Sequence, residues 1–289
     1  MSIEMLHPSP FIIGVGRSGT TLLRLMLDAH PLLAIPSETH FVPSLNHMMS
    51  AEDFLGVLLN DPRWPDFHLD SDEFQSGVRA LAPFNVSSGL RLFYGAYARR
   101  FGKERWGDKT PAYSMSIAHI SALLPEARFI HLIRDGRDSA LSYRGVWFGP
   151  GNDFAAHASM WVDRICQARK QACQIPHYME VMFENLVRDP EGELARICEF
   201  IDLPYDSAML SYTGRAMNRI DEMQERKAIV RDYHVKREDW HRIFALTSSS
   251  PDESRIGVWR EGMTPEDVKS YEKIAGPLLS ELGYETVSR

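Results

Sequence analysis

Apolar and polar positions along this chain switch repeatedly between strand-like and helix-like spacing. Phe11-Ile12-Ile13-Gly14-Val15 is a short continuous apolar run, the pattern of a strand buried on both faces. Leu22 to His30 then reads as a helix and stops before Pro31. Leu32 to Ile35 predicts a second strand. Residues 41–105 carry broken helical spacing through Phe54, Leu58, Phe74, Val78, Leu90 and Phe93, interrupted at Pro62, Pro65 and Pro83, and predict a helical insertion. Arg105 to Pro111 predicts the end of a third strand and its loop, and Ser114 to Leu124 a helix. Arg128 to Ile133 is a strongly apolar strand that runs straight into a helix start at Arg134-Asp135-Gly136.

Asn152 is expected to cap a long helix reaching about Cys173, with Phe154, Trp161 and Ile165 on its core face. Tyr178 to Phe183 predicts a further strand, and Asp189-Pro190 opens a helix with proline in its first turn. Tyr205 to Asp252 is charged and weakly periodic, which suggests a mobile or partly helical cover. Thr264 starts a last helix that Gly283 ends, and Pro277 inside it should kink or interrupt it. The alternation of strands and helices predicts an α/β fold. It is read as one domain over residues 1–289, with a central parallel sheet of about five strands, a helical insertion and a C-terminal helical region.

Composition narrows the functional classes. The 289 residues are 44% hydrophobic and 25% charged, ordinary for a soluble globule, and the formal net charge is −7. Such a balance disfavours a non-specific nucleic-acid binder, so any anion must be held by local positive charge. The cysteines, Cys166, Cys173 and Cys198, are sparse and odd in number and read as reduced core thiols. Met1 to Pro10 lacks the pattern of a signal peptide, and no apolar run approaches membrane-spanning length. A cytoplasmic protein without membrane or nucleic-acid partners, and without a metal, is expected.

The chemistry concentrates between the first strand and the first helix. Gly16-Arg17-Ser18-Gly19-Thr20-Thr21 joins them, and strand, glycine turn and helix is a geometry that holds phosphate. Ser18, Thr20 and Thr21 supply hydroxyls and Arg17 a fixed charge. A Walker loop carries lysine after its last glycine, whereas Thr20 follows Gly19 here. A nucleotide kinase is therefore disfavoured. Ligands of open α/β sheets gather beyond the carboxyl ends of the strands, where Glu38, His40 and Lys109 should fall. Glu38 and His40 are candidate bases, and Lys109 could neutralise charge on a leaving group. Arg134, with Ser142 in the first turns of the following helix, offers a second anion site. An Arg–Asp surface network through Asp135, Arg137 and Asp138 competes with that reading. Ser254 to Arg260 is a basic, aromatic segment.

Taken together, these stretches resemble the sulfotransferases that use 3′-phosphoadenosine 5′-phosphosulfate (PAPS). The loop from Gly16 to Leu22 looks like their 5′-phosphosulfate loop, and Arg134 to Ser142 like their 3′-phosphate segment. Gly257-Val258-Trp259-Arg260 and Ile274 to Leu279 resemble the C-terminal end of bacterial members. Arg-Ser-Gly-Thr-Thr-Leu, Leu-Asp-Ala-His-Pro and Glu-Thr are most similar to the tyrosylprotein type. The resemblance implies a P-loop-like domain, PAPS as co-substrate, Glu38 as base, and Lys109 and Arg17 near the transferring group. It places the 5′-phosphate on Ser18, Gly19, Thr20 and Thr21, and the 3′-phosphate on Arg134 and Ser142, with Arg255 or Arg260 completing that pocket. His40 stands where the tyrosylprotein enzymes have a peptide-contacting arginine, and Phe183 where they have a tyrosine near the adenine. The expected acceptor is therefore the hydroxyl or amine of a small or carrier-bound metabolite, with peptide tyrosine or carbohydrate as alternatives. A non-catalytic nucleotide-binding module is the reading from another class.

Overall fold

A computed structural model describes residues 6–144, 146–227 and 233–287. In chain order the first elements are β1 (Ser9–Gly14), α1 (Thr20–Asp28), β2 (Leu33–Ala34), α2 (Ala51–Leu59), α3 (Ser71–Ala80) and α4 (Val86–Arg99). Next come β3 (Arg105–Trp106), β4 (Asp108–Lys109), α5 (Ile117–Leu123), β5 (Ala127–Ile133), α6 (Gly136–Ser142), α7 (Phe154–Ala172) and β6 (Tyr178–Met182). The chain closes with α8 (Phe183–Arg188), α9 (Pro190–Phe200), α10 (Thr213–Ile220), β7 (Arg226–Lys227), β8 (His234–Val235), α11 (Arg237–Phe244), α12 (Trp259–Gly262) and α13 (Pro265–Glu281).

The central sheet is wholly parallel in the order β4-β1-β5-β6. It has four strands rather than about five. The third strand breaks at Gly107: β4 pairs with β1, while β3 leaves the sheet to pair with β2. Side chains alternate across β1 and β5, and both faces are covered. Phe11, Ile13 and Phe129 pack with the aromatic insertion, whereas Ile12, Ile130 and Leu132 pack under α1 and α9. A third cluster gathers Val15, Ile133, Trp161 and Tyr271 where α7 meets α13. Trp161 is fully buried, as its spacing on α7 predicts.

Several local expectations change. The cap of α7 is Asp153, whose carboxylate accepts from the Ala156 amide at 2.9 Å, not Asn152. The last helix is not interrupted by Pro277. Cys198 is buried, but Cys166 and Cys173 are exposed. They lie on the solvent side of α7 and its C-cap. Of residues 205–252, those described carry α10, the antiparallel β7–β8 pair and α11, and Tyr212 and Ala216 are built into the core.

Candidate active site

The loop after β1 is shaped to present amides. Arg17 and Gly19 adopt the left-handed conformation, with φ of 66° and 92°. These turns lead directly into α1, whose first-turn amides lack partners within the helix and form the ordinary seat of an anion. Gly16 is required by close approach, since a Cβ there would lie 2.2 Å from the Tyr143 hydroxyl. Gly19 has both constraints, for its Cβ would meet the Phe183 ring at 2.5 Å. The Ser18 hydroxyl is buried without a hydrogen-bond partner, as is Nε of Arg134. Two buried donors left unpaired at an amide-lined loop fit an anion.

The second predicted anion group lies beside the first. Arg17 Nε donates to Ser142 Oγ at 3.1 Å, and Arg134 Nη1 to the Arg17 carbonyl at 3.3 Å. Arg134 Nη2 donates to the Arg255 carbonyl at 2.7 Å, and its guanidinium stands 4.5 Å from the Phe183 ring centre. Burial lowers the pKa of both arginines from the ordinary value, yet a guanidinium stays charged. α6 is short, and Ser142 is its last residue, in the second of about two turns. The Arg–Asp cluster is not a surface network. Arg137 is buried, bridging Asp135 at 2.8 Å and Glu272 at 2.6 Å. Asp138 accepts from the amides of Gly257 and Trp259, so this cluster docks the C-terminal segment. That docking brings Arg255 to the cleft. Arg260 is turned away, exposed and paired with Glu285 at 3.1 Å.

Glu38 is held from both sides of the sequence. Upstream, Asp28 accepts from the Ile35 amide at 2.8 Å, and Arg24 Nε donates to the Ile35 carbonyl at 3.0 Å. Downstream, the Thr39 amide donates to Thr110 Oγ1 at 3.0 Å, and the Thr39 hydroxyl to Asp108 Oδ2 at 2.7 Å. Tyr113, 2.6 Å from the same hydroxyl, completes the lock. Between these anchors Glu38 Oε1 accepts from Lys109 Nζ at 2.8 Å, and Oε2 lies 2.7 Å from His40 Nε2. Burial works against the charge, but Lys109 and the His40 hydrogen bond outweigh it and hold Glu38 well below the usual carboxylate range. Burial lowers Lys109 as well, with Glu38 opposing. Asp108, fully buried, is pushed up to about 6 by desolvation, against the hydrogen bonds from Thr39, Thr110 and Tyr94.

Two concavities meet at this carboxylate. One runs past Arg17, Thr20, Arg134, Ser142 and Phe183 to the 243–255 segment. The other, about 380 Å³, is walled by His40, Lys109, Tyr143, Trp147, Phe148 and Trp240. Gly16, Thr21, Glu38, Pro111, Phe148 and Phe244 line both. Sequence reasoning named Arg255 and a cover over 205–252 but missed Tyr143, Trp147 and Phe148, and did not single out Ile243 or Phe244 as cleft lining. Trp147 and Phe148, placed just beyond the second anion segment, were the signal available for the aromatic wall. Among the described residues no cluster of His, Cys, Asp and Glu could hold a metal, and no helix is long and apolar enough to cross a membrane.

A parallel α/β sheet with a glycine-containing loop, a second arginine and a locked glutamate beyond the carboxyl ends of its strands is the layout of a ligand site in an open α/β fold. Residues 8–207 match the sequence profile of the sulfotransferase family, and the chain belongs to that family. It is 28% identical over 296 residues to protein-tyrosine sulfotransferase A of Caenorhabditis elegans, covering 96% of this chain and 68% of that one. It is 27% identical over 301 residues to nodulation protein NoeE of Sinorhizobium fredii, covering 95% and 65%. The chain thus spans about two thirds of the length of each. In fold it is similar to the sulfotransferase domain of the Synechococcus olefin synthase, at TM-score 0.65 and 23% identity over 99% of both chains.

Proposed function

We propose that this sulfotransferase moves a sulfuryl group from PAPS to a hydroxyl or amine of a small or carrier-bound metabolite. The observation that carries the reading is Glu38, ionised and paired with Lys109, at the junction of the two cavities. The acceptor oxygen attacks sulfur, the bond from sulfur to the bridging phosphate oxygen breaks, and adenosine 3′,5′-bisphosphate leaves. Glu38 takes the acceptor proton. Arg17 and Lys109 offset charge on the sulfuryl and bridging oxygens. Ser18, Gly19, Thr20 and Thr21 hold the 5′-phosphate. Arg134, Ser142 and Arg255 hold the 3′-phosphate, the group that separates PAPS from ATP, and Phe183 offers an apolar face for the base. Arg260 lies outside this set. As in phosphoryl transfer, positioning and charge supply most of the rate, and no metal is called for.

The second cavity, about 380 Å³ and lined largely by apolar and aromatic side chains, favours a small acceptor. Similarity to protein-tyrosine sulfotransferases favours a second reading, in which the acceptor is a peptide tyrosine. Incubation with PAPS and separate low-mass and peptide fractions of a cell extract, followed by a mass search for an added sulfuryl group, distinguishes the two. Calorimetry with adenosine 3′,5′-bisphosphate tests the donor. Arg134→Ala should weaken it at least tenfold, about 1.4 kcal/mol, through lost charge-assisted hydrogen bonds. An unchanged affinity in the variant refutes the assignment of the 3′-phosphate.

A further inference from the structure

The second cavity carries more positive charge than its own carboxylates can neutralise, in a protein whose net charge is −7. Its lining holds two acidic side chains, and each is already matched. Glu38 is taken by Lys109 at 2.8 Å, and Asp66 by Arg226. Arg63 is satisfied from behind by Asp61 at 3.2 Å. Arg24, almost wholly buried, is paired with Glu222 at 3.8 Å, although its Nη2 makes no hydrogen bond. One cation is left. Arg164, half-buried on α7, has no hydrogen bond or ion pair among the described residues.

Arg164 is placed for recognition rather than for reaction. Arg164 lines the same cavity as Glu38, Lys109 and Tyr143, so it borders the reaction centre. It lines only the second cavity and is absent from the donor cleft. A half-buried guanidinium that faces a partly desolvated pocket keeps a strong demand for anionic oxygen, and its planar fork suits a carboxylate or phosphate. Around it Trp147, Phe148 and Met160 offer apolar surface. We infer that the acceptor is itself an anion, a small hydroxylated apolar compound whose carboxylate or phosphate is bound by Arg164 while its hydroxyl faces Glu38.

This inference rests on the sulfotransferase reading, and the test separates the two. Protein saturated with adenosine 3′,5′-bisphosphate is titrated by calorimetry with para-hydroxyphenylacetate and its amide, and with β-hydroxyoctanoate and its amide. The acid of at least one pair should bind about tenfold or more tightly than its amide. Arg164→Gln should abolish that preference, and Arg164→Lys should restore part of it. Equal affinity within each pair overturns the inference, as does a preference that survives in Arg164→Gln. So does the failure of all four compounds to bind at millimolar concentration. Competition only by an acidic peptide would assign the charge to a macromolecular acceptor and likewise overturn it. Failure of the bisphosphate itself to bind, read in the first titration, would instead remove the donor assignment.

Discussion

Asp108 gives the most direct measure of what holding Glu38 in place costs the fold. Its carboxylate is fully buried, accepts from Thr39 at 2.7 Å and Tyr94 at 3.0 Å, and leaves Oδ1 without a hydrogen bond. Desolvation raises its pKa from 3.8 to about 6. The folded protein therefore takes up a proton between about pH 7 and 5 that the unfolded chain takes up only near pH 3.8. Stability from this group is fully present below pH 3.8 and is lost as the pH rises through 6. A shift of about 2.2 units corresponds to about 3 kcal/mol by neutral pH, and about 1.4 kcal/mol of it should be recovered by pH 5. Asp108→Asn keeps an acceptor for Thr39 and Tyr94 but cannot titrate. Urea unfolding of both proteins at pH 7.5 and pH 5 measures the difference. On acidification the variant should lose about 1.4 kcal/mol more stability than the parent, whatever the other groups do. Parallel stability curves for the two proteins would refute the argument, because a carboxylate that did not titrate between these values could not be held in a strongly desolvated state.

Other expected outcomes follow from the same contacts. Glu38→Gln should lower kcat by about 10²- to 10⁴-fold in a PAPS-consumption assay with a competent acceptor, with bisphosphate affinity nearly unchanged. A variant as fast as the parent would remove Glu38 from proton transfer. His131 is buried, and its Nδ1 lies 2.6 Å from a Tyr178 hydroxyl that itself donates to Glu180. Nδ1 is thus the donor and Nε2 is left bare, so protonation would bury an unpaired N–H. Burial lowers its pKa from 6.5 to about 4. The unfolded chain binds this proton first, so stability falls as the pH drops below about 6.5. His131→Gln should remove about 2 kcal/mol of that loss between pH 7 and pH 5 in urea unfolding. Gly16→Ala drives a methyl group to within 2.2 Å of the Tyr143 hydroxyl, so the loop or the ring must move. Calorimetry should show bisphosphate affinity reduced more than tenfold.

What the sequence could and could not reveal follows the range of the interactions involved. The β1–loop–α1 unit is legible because strand, turn and helix are each determined within a few residues. The same holds for β5 leading into Arg134. The broken third strand is not legible, since Gly107 marks a change of partner from β2 to β1 that only the assembled sheet requires. The Asp135–Arg137–Asp138 cluster reads as surface charge until Glu272 and the Gly257 and Trp259 amides, more than 100 residues away, are brought to it. That long-range cluster decides which C-terminal arginine reaches the cleft. It fixes the backbone at Gly257 and Trp259, so Arg255 on one side points its carbonyl at Arg134, while Arg260 on the other is carried outward to Glu285. Two arginines five residues apart, equivalent in the sequence, are separated by the register in which a buried aspartate grips the chain between them.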